Sequence, residues 1–328
     1  VVLRSIKSPI ALLRLAPLLF PIIFLCAAVN GVIATLYAAV FLHLLIIAAE
    51  LTVGRRFAEV PIPVFIEGST TFEDICLLAW TGLHVAVLGA TLYFVGSTEL
   101  TGRQVFAVGA LFGYSINTFS AAATHELLHR DRAAQRFAAH LLYAIMLYPH
   151  FPTVHVASHH RWAGTDRDCQ TPKSCQSIHA YLVQAFAGGI EAVQTPQARA
   201  RDGQLRFRVA LSLIVLAIPL CLGMPAVMLL LITQGLFAFL LIETINFVQH
   251  YEHAADGGSG HANQDLNFVS RCLLFNLPLH AAHHDQPDLP YPELHAMPAA
   301  KASRLGYWCS FWLAWLPPIW HSWHHNYR

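Results

Sequence analysis

Charge is what this chain has least of. Asp, Glu, Lys and Arg make up only 12% of its 328 residues, where a soluble domain carries about 25%. A surface that poor in ions excludes an ordinary water-soluble protein and points to lipid as the covering medium. Twenty Lys and Arg against nineteen Asp and Glu leave a net charge of +1, so there is no basic footprint for nucleic acid. The seven cysteines (Cys26, Cys76, Cys169, Cys175, Cys221, Cys272, Cys309) are odd in number and form no CxxC pair. That excludes a disulfide framework and a thiolate metal cluster and leaves scattered reduced thiols. The chain also lacks a Gly-rich dinucleotide fingerprint and any internal repeat. Electrons for redox chemistry therefore have to arrive from outside.

What is abundant is apolar sequence, 55% of the chain. Runs near the roughly 20-residue length of a spanning helix lie at about 10–29, 31–52, 73–96, 104–123, 207–222 and 225–246. They predict an all-α integral membrane fold of six spans in three hairpins, joined tightly at Asn30-Gly31, Gly96 to Arg103 and Gly223-Met224-Pro225. The first run follows Arg4, Lys7 and Arg14 as a signal peptide would, but without a clear cleavage site it reads as an anchor. Of the twenty Lys and Arg, only Arg103 lies in a short connection. The positive-inside rule then puts both termini and every long polar segment in the cytoplasm.

The chain divides as a single membrane unit. Residues 1–123 hold the first four spans, 124–206 a cytosolic segment, 207–246 the last two spans, and 247–328 a second cytosolic segment. Within these, 134–149 and 178–193 are apolar but short and interrupted, and read as interfacial or re-entrant helices. The tail from Gly306 to Trp320 is aromatic, with Pro317-Pro318, and suits the headgroup layer.

Histidine is the second excess, with twenty residues. Four clusters fall on one predicted side of the membrane: His125-Glu126-Leu127-Leu128-His129-Arg130, His155-Val156-Ala157-Ser158-His159-His160, Asn246-Phe247-Val248-Gln249-His250-Tyr251, and His280-Ala281-Ala282-His283-His284. On a helix, residues four apart share a face, so His125 and His129 can grip one metal. In HxxxHH and HxxHH, the first histidine shares a face with one of the last pair while the other diverges, so one turn reaches two metals. The nine imidazoles in these clusters exceed the capacity of one ion, which implies two. Imidazole suits Fe, Zn, Cu and Ni alike, so the metal stays open on ligand type.

Other readings compete for these residues. HExxH alone is also a zinc-protease pattern, but such enzymes need a third ligand, commonly an acid in an NxPDG-like stretch, and none is found. A histidine-rich metal transporter would place its site at mid-membrane with intramembrane acids, where Glu243 is the one acid deep in the second half. His140, His150, His179, His253, His261 and His295 read as surface or supporting residues. His321-Ser322-Trp323-His324-His325 repeats the HxxHH spacing as a decoy near the C-terminus.

HELLHR, HxxxHH followed by RWAGTDRD, NFVQHY and LFNLPLHAAHH, in this order, resemble the membrane alkane monooxygenases of the fatty acid desaturase and hydroxylase superfamily. The resemblance covers about residues 104–300. It implies six spanning helices under a cytosolic cap that holds two non-heme irons, with O₂ as co-substrate. The ligands it implies are His125, His129, His155, His159, His160, His250, His280, His283 and His284. Glu126 and Asp168 would orient ligand imidazoles, with Asn246 beside them. Departures from the alkane branch are Val154 where Glu is usual, Ser158 where Gly is usual, and Pro278, Leu279 and Ala282 where the last cluster usually has Gln, Arg and Asp.

The activity implied is oxidation of an unactivated C–H bond of a lipophilic chain, foremost hydroxylation of an alkane or alkyl group. Desaturation or alkene-forming decarboxylation of a fatty acid is the alternative, for which Arg130, Arg161 or Arg167 would hold the carboxylate. His43, Trp80, His84 and Tyr114 are the expected walls of a substrate tunnel. A rubredoxin or ferredoxin with its reductase would supply electrons at the cytosolic face of a bacterial inner membrane.

Overall fold

In the computed structural model, residues 15–29, 31–62, 71–196, 202–251 and 262–326 are described. The helices are α1 (Leu19–Val29), α2 (Val32–Ala49), α3 (Thr71–Ser97), α4 (Gly102–Leu128), α5 (Ala133–Ile145), α6 (Phe151–Val154), α7 (His160–Trp162), α8 (Ile178–Ala192), α9 (Leu205–Cys221), α10 (Pro225–His250), α11 (Phe268–Leu273), α12 (His280–Asp285), α13 (Tyr307–Ala314) and α14 (Pro317–Asn326). Two π-helical turns interrupt them, Glu50–Gly54 after α2 and His155–His159 between α6 and α7.

The protein is an all-α integral membrane protein. Among the described residues, four helices are long and apolar enough to cross a membrane: Val32–Gly54, Thr71–Ser97, Gly102–Leu128 and Pro225–His250. The runs at 10–29 and 207–222 appear as the shorter α1 and α9, of 11 and 17 residues. Part of the first run lies outside the described residues. The short connections behave as their residues dictate. Gly31 and Gly223 take positive φ, and Thr101 caps α4 in a reciprocal capping box with Gln104.

The centre of the bundle is the pair α4 and α10. Gly109 and Gly113, one turn apart on α4, make this approach possible. A Cβ on Gly109 would lie 2.8 Å from Thr233 Cβ, and one on Gly113 2.5 Å from Phe237 Cβ. Small residues at that spacing let membrane helices touch backbone to backbone. The contact is then fixed by a buried amide ladder, Asn117 Nδ2 to Gln234 Oε1 at 3.0 Å and Gln234 Nε2 to the Ile145 carbonyl at 2.9 Å.

The polar segments fold back over the ends of α4 and α10. The segments 134–149 and 178–193 form α5 and α8. A two-residue parallel bridge, β1 (Gln264–Asp265) with β2 (Ala302–Ser303), closes the segment that follows α10. Glu50, fully buried at the end of α2, accepts the Ser270 hydroxyl and the N–H groups of Trp308 and Cys309 at 3.2 and 3.0 Å. A carboxylate at that place satisfies unpaired N–H groups of the α13 N-terminus and suits its dipole. Phe311 and Trp312 of α13 pack 5.2 and 5.4 Å from Tyr114, halfway along α4.

Candidate metal centre

Local backbone geometry sorts the histidines. His125 and His129 stand one turn apart at the end of α4 and face the same way. In the last cluster, α12 is α-helical, so His280 and His284 share a face and His283 diverges. The second cluster differs. Residues His155–His159 form a π turn in which the His160 N–H bonds the His155 carbonyl. That i to i+5 bond brings His155 and His160 together and sends His159 to the other side. Single π turns of this kind are frequent at functional sites.

The nine side chains gather into two groups. His125, His129, His155, His160 and His283 form one; His159, His250, His280 and His284 form the other, with ligand atoms within 4.8 Å of one another in each. In the first, Nε2 atoms run His129–His155–His160–His283 at 3.2, 2.9 and 3.3 Å. In the second they run His159–His284–His280–His250, each at 3.1 Å.

These separations are informative. A neutral Nε2 carries either one proton or one lone pair, so each Nε2 that faces two others, as in His155, His160, His280 and His284, lacks the means to bond both well. A cation among them resolves the conflict. With metal–imidazole bonds of roughly 2.1 Å, neighbouring nitrogens lie about 3.0 Å apart at right angles and about 3.4 Å apart in a tetrahedron. The observed 2.9–3.3 Å sits nearer the right angle, and five donors in one group exceed a tetrahedral set. The His125 Nε2 is buried there without a hydrogen-bond partner. The donor sets therefore fit two ions, one per group, better than one structural zinc.

Burial keeps the rings in ligand form. Desolvation and neighbouring imidazoles push His155, His160, His280, His283 and His284 well below the ordinary imidazole range. His129 is pushed down to about 4, by burial and then by the Arg130 charge. Neutral imidazole is the form that binds a metal.

A family model described as fatty acid desaturase matches residues 101–311, more than half of the chain and inclusive of both groups. The chain belongs to the fatty acid desaturase family. It is 25% identical over 261 residues to an alkane 1-monooxygenase of Ectopseudomonas oleovorans, covering 72% of this chain and 63% of that one. To alkane 1-monooxygenase 1 of Pseudomonas aeruginosa it is 27% identical over 266 residues, covering 73% and 69%. To the xylene/toluene monooxygenase hydroxylase component of Pseudomonas putida it is 28% identical over 211 residues, covering 60% and 57%. The chain thus spans somewhat under two thirds of the length of the first of these relatives.

Around the centre of this desaturase-family protein, the supporting residues fall unequally. Asp168 accepts from His159 Nδ1 at 2.8 Å and from the Thr171 hydroxyl at 2.7 Å. Burial alone would raise its carboxyl, but the His159 ring and these hydrogen bonds hold it below its ordinary value. Glu126 does not bond a ligand ring as expected. It accepts the Tyr291 N–H and forms an ion pair with the Arg130 guanidinium, both at 2.8 Å, while Arg130 also reaches Asp74 at 3.3 Å. Glu126 sits one residue after His125, so its side chain leaves the α4 face that carries His125 and His129. Asn246 donates to Glu243 at 3.3 Å instead of meeting an imidazole.

The buried Arg208 of α9 steadies the second cluster from behind. It donates to the Pro149 carbonyl at 2.6 Å and the Thr153 hydroxyl at 2.8 Å and pairs with Asp202. Spacing did not reveal this residue, whose partners Pro149 and Thr153 lie more than fifty positions away.

An apolar cavity of about 50 Å³ adjoins both groups, with His125 and His280 in its wall, one from each. Its other walls include Ile245, Leu277, Trp308 and, at the far end, Tyr114 and Phe311. Tyr114 is thus where the sequence places it, and His43 stacks on it at 4.5 Å from an adjacent groove. Trp80 and His84 do not line the cavity. They occupy another face of α4, bound to the Ser120 hydroxyl at 2.8 and 2.6 Å. The decoy at the tail forms no third group among the described residues: His321 bonds the Tyr251 hydroxyl, and the His324 ring packs at a tilt against Trp320. His253 and His261 lie outside the described residues.

Proposed function

We propose that this protein is a membrane-bound diiron oxygenase that hydroxylates an unactivated C–H bond of a lipophilic chain, as an alkane monooxygenase-like enzyme. One observation carries the reading: imidazoles from both histidine groups stand in the wall of one apolar cavity. The two irons, held by His125, His129, His155, His160 and His283 and by His159, His250, His280 and His284, supply the O₂-activating oxidation when bound. The chain's own residues do the rest. Its apolar walls exclude water from a substrate that offers no polar handle. Tyr114 and Phe311 limit how far the chain extends from the centre. Asp168 fixes the tautomer and direction of His159.

Charge placement favours an alkyl chain over a buried fatty acid. Among the described residues, no Lys or Arg lines the cavity. Arg130 is engaged by Glu126 and Asp74, and Arg161 and Arg167 stack on Trp162 in a separate polar groove. An ionised carboxylate inside would lie unpaired, which costs several kcal/mol.

The reading extends to topology and partners. Six spans in three hairpins, with α1 and α9 as the two shorter ones, agree with the clustering of nineteen of the twenty Lys and Arg away from the short connections. The four-part division of the chain and cytosolic termini in a bacterial inner membrane follow from the same charge distribution. Electrons would come from a rubredoxin or ferredoxin with its reductase, because the chain has no CxxC pair of its own.

The test has two parts. Purified protein should carry two irons per chain, one per group; a single zinc would contradict the reading. Membranes supplied with a reductase system should then convert octane or xylene to alcohol and leave dodecanoic acid without alkene product, as read by gas chromatography.

A further inference from the structure

Resting on that reading of the cavity as the substrate site, we infer that Gln249 and Tyr307 form a port that binds the hydroxyl of the alcohol product and opens for it. Both residues stand in the wall of the apolar cavity. Both also line a second space, a cleft of about 330 Å³ at the end of α10, with Val248, Tyr251, Asn263 and Trp320 in its walls. Among the described residues, these two alone belong to both spaces. They are the partition.

One side-chain bond closes it. Gln249 Nε2 donates to the Tyr307 hydroxyl at 3.0 Å, and both residues are buried. Their backbones are anchored separately. The Gln249 carbonyl accepts the Asn263 N–H at 2.7 Å, and the Tyr307 N–H donates to Ser270 Oγ at 2.9 Å. The side chains can therefore part without unmaking either helix end. Among the described residues, no other protein group bonds the Gln249 side-chain amide or the Tyr307 hydroxyl. The pair keeps an acceptor and a donor to spare, and turning the amide end for end leaves one of each as well.

Those spare positions match an alcohol and nothing in its parent hydrocarbon. A hydroxyl that donates to the amide oxygen and accepts from the phenol replaces the bond it breaks. A saturated chain offers no such exchange, and parting the pair around it strands buried polar groups. The port thus stays shut to substrate and opens to product. Most of the cavity wall is apolar, and a hydroxyl held there without a partner is costly. Asn246, also in that wall, is committed to Glu243. Beyond the port, Val248, Trp320 and Trp323 offer apolar surface to the alkyl tail, and the exposed Lys301 and Ala302 mark the outer rim.

Two diazirine probes of equal length, an alkane and a primary alkanol, test this without turnover when photolysed in native membranes and mapped by mass spectrometry. In the wild type, the alkane should label the cavity (Ile245, Leu277) and spare the cleft. The alkanol should label both, with cleft adducts at Val248 and Trp323. Tyr307→Phe and Gln249→Leu remove the bond that a hydrocarbon cannot replace. Each should lower the ratio of alkanol to alkane labelling in the cleft by about five- to tenfold. A purely structural loss would move both probes together and leave that ratio fixed. Tyr307→Phe decides alone if Gln249→Leu, beside His250, does not fold. An unchanged ratio in Tyr307→Phe, or alkanol in only one of the two spaces, overturns the port but spares the substrate site. Absence of the alkane from the cavity in the wild type overturns both.

Discussion

His155 and His160 stand five positions apart in the chain, yet their Nε2 atoms lie 2.9 Å from each other. The π turn over His155–His159 makes this possible. In α12 the corresponding pair, His280 and His284, is four apart and equally close at 3.1 Å. HxxxHH and HxxHH are thus one device, in which a π turn absorbs the extra residue. Deleting Val156, which is 48% exposed, turns the second cluster into HASHH, the pattern of the last. The deletion should restore α-helical winding and retain both metals, whereas His159→Ala should empty the four-histidine group. Metal content by mass spectrometry distinguishes them, and loss of both metals on deleting Val156 would refute the equivalence.

Asp168 is the clearest support of a ligand ring, through the 2.8 Å bond to His159 Nδ1. Removing such an acceptor usually costs about 10–100-fold in metal affinity or activity. Asp168→Ala should fall in that range, with the weakening confined to the four-histidine group. Thr171→Val, which removes the 2.7 Å hydroxyl donor to Asp168 and the acceptor of the Gly164 N–H, should have a smaller effect in the same direction. Competition with a chelator measures both.

Acid should destabilise the metal-free protein in a definite window. Burial holds His155, His160, His280, His283 and His284 well below the ordinary imidazole value, and His129 at about 4. The unfolded chain takes up protons near pH 6.5 while the folded apoprotein does not. Below that pH the unfolded state binds more protons, so stability falls as pH falls. Thermal unfolding of apoprotein in detergent should show the midpoint declining from about pH 6.5 towards 4. Equal midpoints across this window would mean that the rings are solvated.

Much of this centre is legible in the sequence because its information is local. Four clusters at helix ends give the nine imidazoles, and the spacing shows that each of two turns must serve two metals. Spacing alone did not decide whether His159 or His160 joins His155, since that depends on a π turn that no single residue type announces. The partners of Glu126 and Glu50 were illegible for a different reason. Tyr291 and Trp308 lie 165 and 258 positions from them, and local periodicity carries no trace of such pairs. Trp80 and His84 have the composition of tunnel walls, but the face of α4 that they meet is set by packing. The aromatic tail looks interfacial by composition, and only the capping of α13 by Glu50 places it against Tyr114.

Glu243 links the membrane core to the metal centre. Fully buried on α10, it accepts from the Tyr148 and Tyr181 hydroxyls at 2.6 and 2.9 Å, from Gln170 at 3.0 Å and from Asn246 at 3.3 Å. The Gln170 backbone N–H donates to Asp168 Oδ1 at 3.1 Å, and Asp168 holds His159. Glu243→Ala strands several buried donors at about 1–3 kcal/mol each, so a destabilisation of about 3 kcal/mol or more is expected. Glu243→Gln should cost less, because the tyrosine hydroxyls can reverse and accept from the new amide. The connection through Gln170 adds a second outcome that stability alone would not produce. In Glu243→Gln, metal at the four-histidine group should weaken while the five-histidine group stays filled, as read by chelator titration of the folded protein. Equal weakening of the two groups would mean that Glu243 acts on the fold as a whole and not through Asp168.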